Sequence, residues 1–201
     1  MKNFHPGNRQ SRLQRGFTLV EVMISMALLT VGSLALLGVF GIAVAANQTS
    51  QENMIARQLA SEAFESIFTA RNTSQLTWSQ IQNASNGGIF TDGSIALLCA
   101  GPDGIIGTSD DATCTLPSGV TCPNSGVKCL VEPGNDGIVG TSDDVILSLN
   151  NYKRQILIQN VVDTNGNQVQ TLRTVTITIT YTTPNLAQRT YVLNEYVSAY
   201  R

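Results

Sequence analysis

Arg15-Gly16-Phe17-Thr18-Leu19-Val20-Glu21-Val22-Met23-Ile24-Ser25-Met26-Ala27-Leu28-Leu29 opens the stretch that decides the fold. From Phe17 to Ala46 the chain carries one charged side chain, Glu21, in thirty residues. At about 1.5 Å of rise per residue, an apolar helix of that length crosses a bilayer. A secretory signal peptide is a poorer fit, because its apolar region runs only about 7–15 residues and ends at small residues. Here the small residue, Gly16, precedes the apolar run and follows a basic segment.

Glu21 needs its own account, since an acidic side chain in lipid costs at least about 2.5 kcal/mol. Such a carboxylate has a partner, faces protein, or lies close enough to the interface to stay wet. The leader before it, residues 1–16, holds four of the twelve basic side chains, Lys2, Arg9, Arg12 and Arg15, and none of the fourteen acids. Its removal takes the formal charge from −2 to −6. A basic flank stays cytoplasmic, so the body beyond the apolar run is expected outside the cytoplasm.

Gly16-Phe17-Thr18-Leu19-Val20-Glu21 after a short basic leader resembles the class III signal of type IV pilins and type II secretion pseudopilins. The resemblance covers roughly Arg15 to Arg71. It implies cleavage between Gly16 and Phe17 by a membrane-embedded prepilin peptidase, followed by N-methylation of Phe17. It also implies that Glu21 pairs with the N-terminal amine of a neighbouring subunit during filament assembly. The implied partners are other pilin or pseudopilin subunits, the prepilin peptidase and the inner membrane. The expected location is a single-pass inner-membrane protein with a periplasmic body, later part of a surface pilus or a periplasmic pseudopilus. Leu28-Leu29-Thr30-Val31-Gly32 and Gln58-Leu59-Ala60-Ser61-Glu62-Ala63-Phe64-Glu65 further resemble minor pilins of the pilus-modification type.

Composition narrows the function classes. Only 13% of residues are charged and no basic cluster follows the leader, so nucleic acid is not an expected partner. The single histidine, His5, lies in the leader. The remaining chain has no His for a triad, a zinc site or general acid–base work, so no enzyme is expected. Cys99, Cys114, Cys122 and Cys129 fall in one short segment, and an even cluster in an exported body reads as disulfides. Three pairings are possible. Cys99–Cys114 with Cys122–Cys129 is preferred, because each closes a loop already marked by turn residues.

Four segments are expected along the chain: the leader 1–16, an assembly half of the helix 17–46, an amphipathic half 47–71, and a β-rich body 72–201. After Gly41 no Gly or Pro appears until Gly87, which lets the helix continue to about Arg71, on the order of 80 Å in all. Ile55, Leu59, Ala60, Ala63, Phe64, Ile67 and Phe68 form one apolar stripe at helical spacing. Gly32, Gly38 and Gly41 interrupt the apolar half, permitting either close helix packing or local melting. Asn72-Thr73-Ser74 is the expected stop, and Trp78 is expected to pack.

The body contains a duplicated loop. Gly101-Pro102-Asp103-Gly104-Ile105-Ile106-Gly107-Thr108-Ser109-Asp110-Asp111 returns 33 residues later as Gly134-Asn135-Asp136-Gly137-Ile138-Val139-Gly140-Thr141-Ser142-Asp143-Asp144, with nine of eleven positions identical. Such a loop offers the hard oxygens that calcium takes six to eight at a time. It resembles the calcium loop of type II major pseudopilins, although there the loop is single and nearer the C-terminus. On that resemblance Asp103, Asp110 and Asp111, and Asp136, Asp143 and Asp144, are candidate ligands for two Ca2+ sites. The alternative is a pair of Asp-Gly turns with solvated acids.

Strands are expected at Ile95–Leu98, Val145–Leu147, Tyr152–Val162 and Arg189–Tyr200, and along Thr174–Thr182, where Val175, Ile177, Ile179 and Tyr181 alternate with threonines. Thr164-Asn165-Gly166-Asn167 is a hairpin signal, and Thr183-Pro184-Asn185 a turn. The expected fold is α+β: a long N-terminal transmembrane helix packed on an antiparallel meander, with a disulfide-containing loop insertion. The expected function is structural, as a minor pilin that joins, initiates or modifies a type IV pilus. The nearest alternative is a type II secretion pseudopilin that drives protein export. More distant are a DNA-uptake pilin and an anchored enzyme or ligand-binding domain built on the calcium loops.

Overall fold

A computed structural model of the chain describes residues 16–116, 121–183 and 187–200. The leader residues Lys2, His5, Arg9, Arg12 and Arg15, and Pro184 and Asn185 of the expected turn, lie outside them. Two compact units are formed, Met1–Gln48 and Thr49–Arg201. Helix α1 (Leu19–Asn72) contributes to both.

In the first unit α1 begins two residues later than Phe17, because Thr18 caps it. The Thr18 hydroxyl oxygen accepts the Glu21 N–H at 3.3 Å, which places Glu21 at the third helical position. Its large apolar side chains, from Leu19 through Val44, are exposed within this chain. The hydroxyls among them are satisfied locally: Ser25 donates to the Glu21 carbonyl, Thr30 to Ala27 and Ser33 to Leu29. That arrangement suits an apolar solvent, where an unpaired polar group is costly. Among the described residues, α1 is the one helix long and apolar enough to cross a membrane.

The second unit packs the latter part of α1 on an antiparallel sheet. Strands β1 (Ser94–Ala96), β4 (Tyr152–Val162), β5 (Gln168–Thr182) and β6 (Gln188–Ser198) lie in the order β1-β4-β5-β6. Between β1 and β4 come a short helix α2 (Pro123–Gly126) and a separate two-stranded sheet of β2 (Cys129–Glu132) and β3 (Val145–Ser148). β4, β5 and β6 form the expected meander, and Asp163–Asn167 closes its first hairpin. There the Asp163 carboxylate accepts N–H groups from Asn165 and Asn167, and Gly166 supplies the positive φ of 84°. Val145–Leu147 does not join that meander. It pairs with β2, because the disulfide segment supplies a nearer edge.

Period-two alternation puts Val175, Ile177, Ile179 and Tyr181 inside, facing Ile156 and Ile158 from β4 and the α1 stripe. Burying each such aliphatic side chain stabilises by about 1.5–3 kcal/mol. The stripe differs from its expected membership. Ala56, Leu59, Ala60, Ala63, Ile67 and Ala70 are buried, while Phe68 is 37% exposed. Alanines let the helix backbone approach the sheet, and the rim is left to the aromatics. Phe68 stacks on Phe64 at 5.9 Å and carries the Arg71 guanidinium at 5.0 Å. Arg71 in turn donates to the Ser198 and Tyr200 carbonyls, tying the end of α1 to the end of β6. The helix stops at Asn72, with Ser74 at φ 63° just beyond.

Trp78 packs as expected, with its indole N–H donating to the Gln170 carbonyl. Arg173 lies against its ring at 4.2 Å and donates to the Ile81 carbonyl at 2.8 Å. Asn83 closes the remaining edge of β4. Its amide donates to the Ile156 carbonyl and accepts the Ile158 N–H, both at 2.8 Å. The disulfides are Cys99–Cys114 and Cys122–Cys129, the preferred pairing. Lys128, between the second pair, forms a salt bridge with Glu62 of α1.

Candidate functional site

The N-terminal signal residues sit together at the head of α1. Gly16 and Phe17 precede the helix outside any helix or strand, with Phe17 81% exposed. A peptide bond there is open to a protease in conformation, since no helix or strand holds it. One turn on, Glu21 also faces outward. At the third helical position its carboxylate meets the positive end of the helix dipole, worth about 0.3–1 kcal/mol. That local role, and Thr18 as the cap that creates it, were not expected from the apolar run. The Thr-x-x-Glu spacing was the available signal.

The two Asp-Gly loops share one internal geometry. In the first, the Asp103 carboxylate accepts the Ile105 N–H at 2.8 Å, and Asp110 accepts the Thr108 hydroxyl at 2.5 Å and the Asp103 N–H at 3.4 Å. Asp111 accepts the Gly107 N–H at 2.9 Å. In the second, Asp136 accepts from Ile138 at 2.8 Å, Asp143 from the Thr141 hydroxyl at 2.7 Å and Asp136 N–H at 3.3 Å, and Asp144 from Gly140 at 2.6 Å. The threonine hydroxyls hold Asp110 and Asp143 below the usual carboxylate range. These acids therefore serve as caps for turn N–H groups. Among the described residues, no three acidic, His or Cys side chains gather as a metal ion needs.

Their surroundings differ sharply. Loop one is seated in the core, with Ile105 and Ile106 at 2% and 6% exposure. The Thr91 N–H donates to the Gly107 carbonyl at 2.8 Å, and Gly107 has φ 90°. That positive φ favours glycine here, and a Cβ would in addition lie 2.5 Å from Ile156 Cδ1. Under the loop lies Arg154, whose side chain is 1% exposed and stands 3.4 Å from the Asp111 carboxylate. Burial pushes the Arg154 guanidinium down and Asp111 up, and their mutual attraction offsets part of each shift. Arg154 Nε and Nη1 have no hydrogen-bond partner. Loop two has no such seat: Ile138 and Val139 are 60% and 57% exposed. Asp144 Oδ1 is buried at the atom level without a partner.

This contrast bears on calcium. Loop one does not fit the ion, because Arg154 already supplies a buried positive charge against Asp111 and would repel a second cation. Loop two offers the same donors without that arginine and with one carboxylate oxygen unmet, so it is the better fit of the two. Arg154 was not expected as a site residue. Its signal lay in the alternation Tyr152, Arg154, Ile156, Ile158, which places a cation on the inward face of β4.

Residues 11–37 match the family described as the prokaryotic N-terminal methylation motif. No curated protein and no solved structure matches the chain. The match, the exposed Gly16-Phe17 junction and the transmembrane-capable helix that follows converge on one segment. The chain thus bears, at its N-terminus, the class III prepilin signal of type IV pilins and pseudopilins.

Proposed function

We propose that this chain is a minor pilin, processed between Gly16 and Phe17, N-methylated on Phe17, and assembled into or priming a type IV pilus. The observation that carries the reading is the methylation motif at residues 11–37 on a helix whose apolar face its own chain leaves exposed. In this reading the body is structural, and the repeated acids cap the turns of their own loops. Export of that body to the periplasm follows from the basic leader. Mass spectrometry of filaments sheared from the native host should find the chain starting at N-methylated Phe17. Residues 1–16 persisting in assembled protein would overturn the processing step. A deletion strain that keeps its pili and loses exoprotein release would instead select the secretion pseudopilin.

Calcium enters this reading only at loop two, where Asp136, Asp143 and Asp144 would have to turn from the donors they now accept to gather around the ion, which would then neutralise them. Binding to the folded state alone raises stability by about 2.7 kcal/mol at a hundredfold excess over Kd. The full chain in detergent should then melt higher with calcium than with chelator, and Asp143→Ala should remove the difference. Identical melting curves would reduce the loop to a hydrogen-bonded turn.

A further inference from the structure

The duplicated loop shows on one copy what the other lacks. Loop one keeps its shape while its Ile105-Ile106 pair fills an apolar seat and its last carboxylate meets a guanidinium. Loop two keeps the same turns, with Gly137 at φ 69° against 70° for Gly104 and Gly140 at 100° against 90° for Gly107. Its Ile138-Val139 pair nevertheless faces solvent, flanked by exposed Val145 and half-exposed Ile146 on β3. A loop whose conformation is held by its own hydrogen bonds pays little ordering entropy on docking. Asp136, Asp143 and Asp144 lie in the same loop as that pair, so without a bound cation the loop's charge favours a basic partner surface.

We infer that loop two is a docking plug for a neighbouring, different subunit of the filament, one offering an apolar cleft beside an arginine or lysine. The template for that cleft is the seat of loop one, with Ile156 and Phe90 as apolar walls beside Gly107 and a cation beneath. A second copy of this chain is the poorer occupant, because its own seat is filled by Ile105-Ile106 and its Arg154 is already paired with Asp111. The inference rests on the filament reading above.

The test places a photo-crosslinking residue at Val139 of the full chain in the native host, with chelator and with calcium. Ile138→Asp/Val139→Asp is made alongside. Crosslinks from Val139 should reach a different filament subunit in both media. Withdrawing two exposed aliphatic side chains from an interface should lower incorporation roughly tenfold or more. Melting of the doubly substituted full chain in detergent should stay unchanged, since neither side chain is in the core. Unchanged incorporation, or crosslinks that reach only lipid, this same chain or a second copy of it, would overturn the docking role. Glu21→Val separates the two ideas. If the wild-type chain never enters filaments the filament reading fails, whereas Glu21-dependent entry indifferent to Ile138 and Val139 removes the docking plug alone.

Discussion

Asp111→Ala will destabilise the full chain by about 3–5 kcal/mol, whereas Asp144→Ala, at the matching position of the second loop, will cost about 1 kcal/mol or less. The two residues end identical Gly-Thr-Ser-Asp-Asp runs, so sequence context predicts equal effects. The difference comes from Arg154. Its guanidinium is buried, has two nitrogens without partners, and depends on Asp111 for its only opposing charge within salt-bridge distance among the described residues. Removing the carboxylate leaves that cation uncompensated in a low-dielectric core. It also frees the Gly107 N–H, bonded at 2.9 Å. For a domain of this size the loss corresponds to a drop in Tm on the order of 10 °C. Circular dichroism melts of the two variants in the same detergent decide the matter. Equal shifts would show that Arg154 is not held by Asp111.

The same pair has a pH signature through Arg154→Met. Burial already raises the folded pKa of Asp111 above its ordinary 3.8, and Arg154 is one of the influences lowering it. Without the arginine it rises further. A raised folded value means that folding favours the protonated carboxyl. That stabilisation is fully present below pH 3.8 and is lost as pH rises through the folded pKa. The Arg154→Met penalty should therefore shrink as the melting buffer is taken from neutral towards pH 4. A penalty independent of pH would mean that Asp111 is solvated in the variant.

Glu21→Val carries the second large effect, on assembly and not on folding. The side chain is exposed within its own chain, so its loss leaves the body unchanged. In a filament the same carboxylate would lie among apolar helices, where it costs at least about 2.5 kcal/mol unless a cation meets it. The free amine that cleavage creates at Phe17 of a neighbouring subunit is the cation the family resemblance implies. Incorporation should fall by roughly a hundredfold, as expected for an interaction near 2.7 kcal/mol, while cleavage and membrane insertion persist. Glu21→Gln distinguishes this from a helix effect. Glutamine preserves the third-position side chain and loses little more than the dipole contribution of about 0.3–1 kcal/mol. If glutamine incorporates like glutamate, the charge is dispensable. If it fails like valine, the carboxylate is needed for docking.

What the sequence by itself determined is local. The methylation motif, the apolar run and the stop at Asn72 depend on neighbours in the chain, and local spacing was enough to read them. The β4–β5 hairpin and the inward face of β5 were legible for the same reason, since a period of two survives any tertiary setting. Both disulfides closed short loops already marked by turns, so proximity along the chain stood in for proximity in space.

Tertiary structure decided whatever required distant residues to meet. β3 pairs only with the strand just before it in the chain, Cys129–Glu132, because the edge of β4 is taken by Ser94–Ala96, which lies over fifty residues away in sequence. Phe68 yielded its core place to Ala56 and Ala70 because close helix–sheet packing favours small side chains over the strongest hydrophobes. The clearest case is the duplicated loop. Two nearly identical segments share their hydrogen bonds, yet one is a buried wedge over Arg154 and the other an exposed plug. Nothing within either repeat encodes that difference. It arises because Phe90, Arg154 and Ile156, all outside the repeats, form a seat at one place only, and burial is a property of the surroundings as much as of the residue buried.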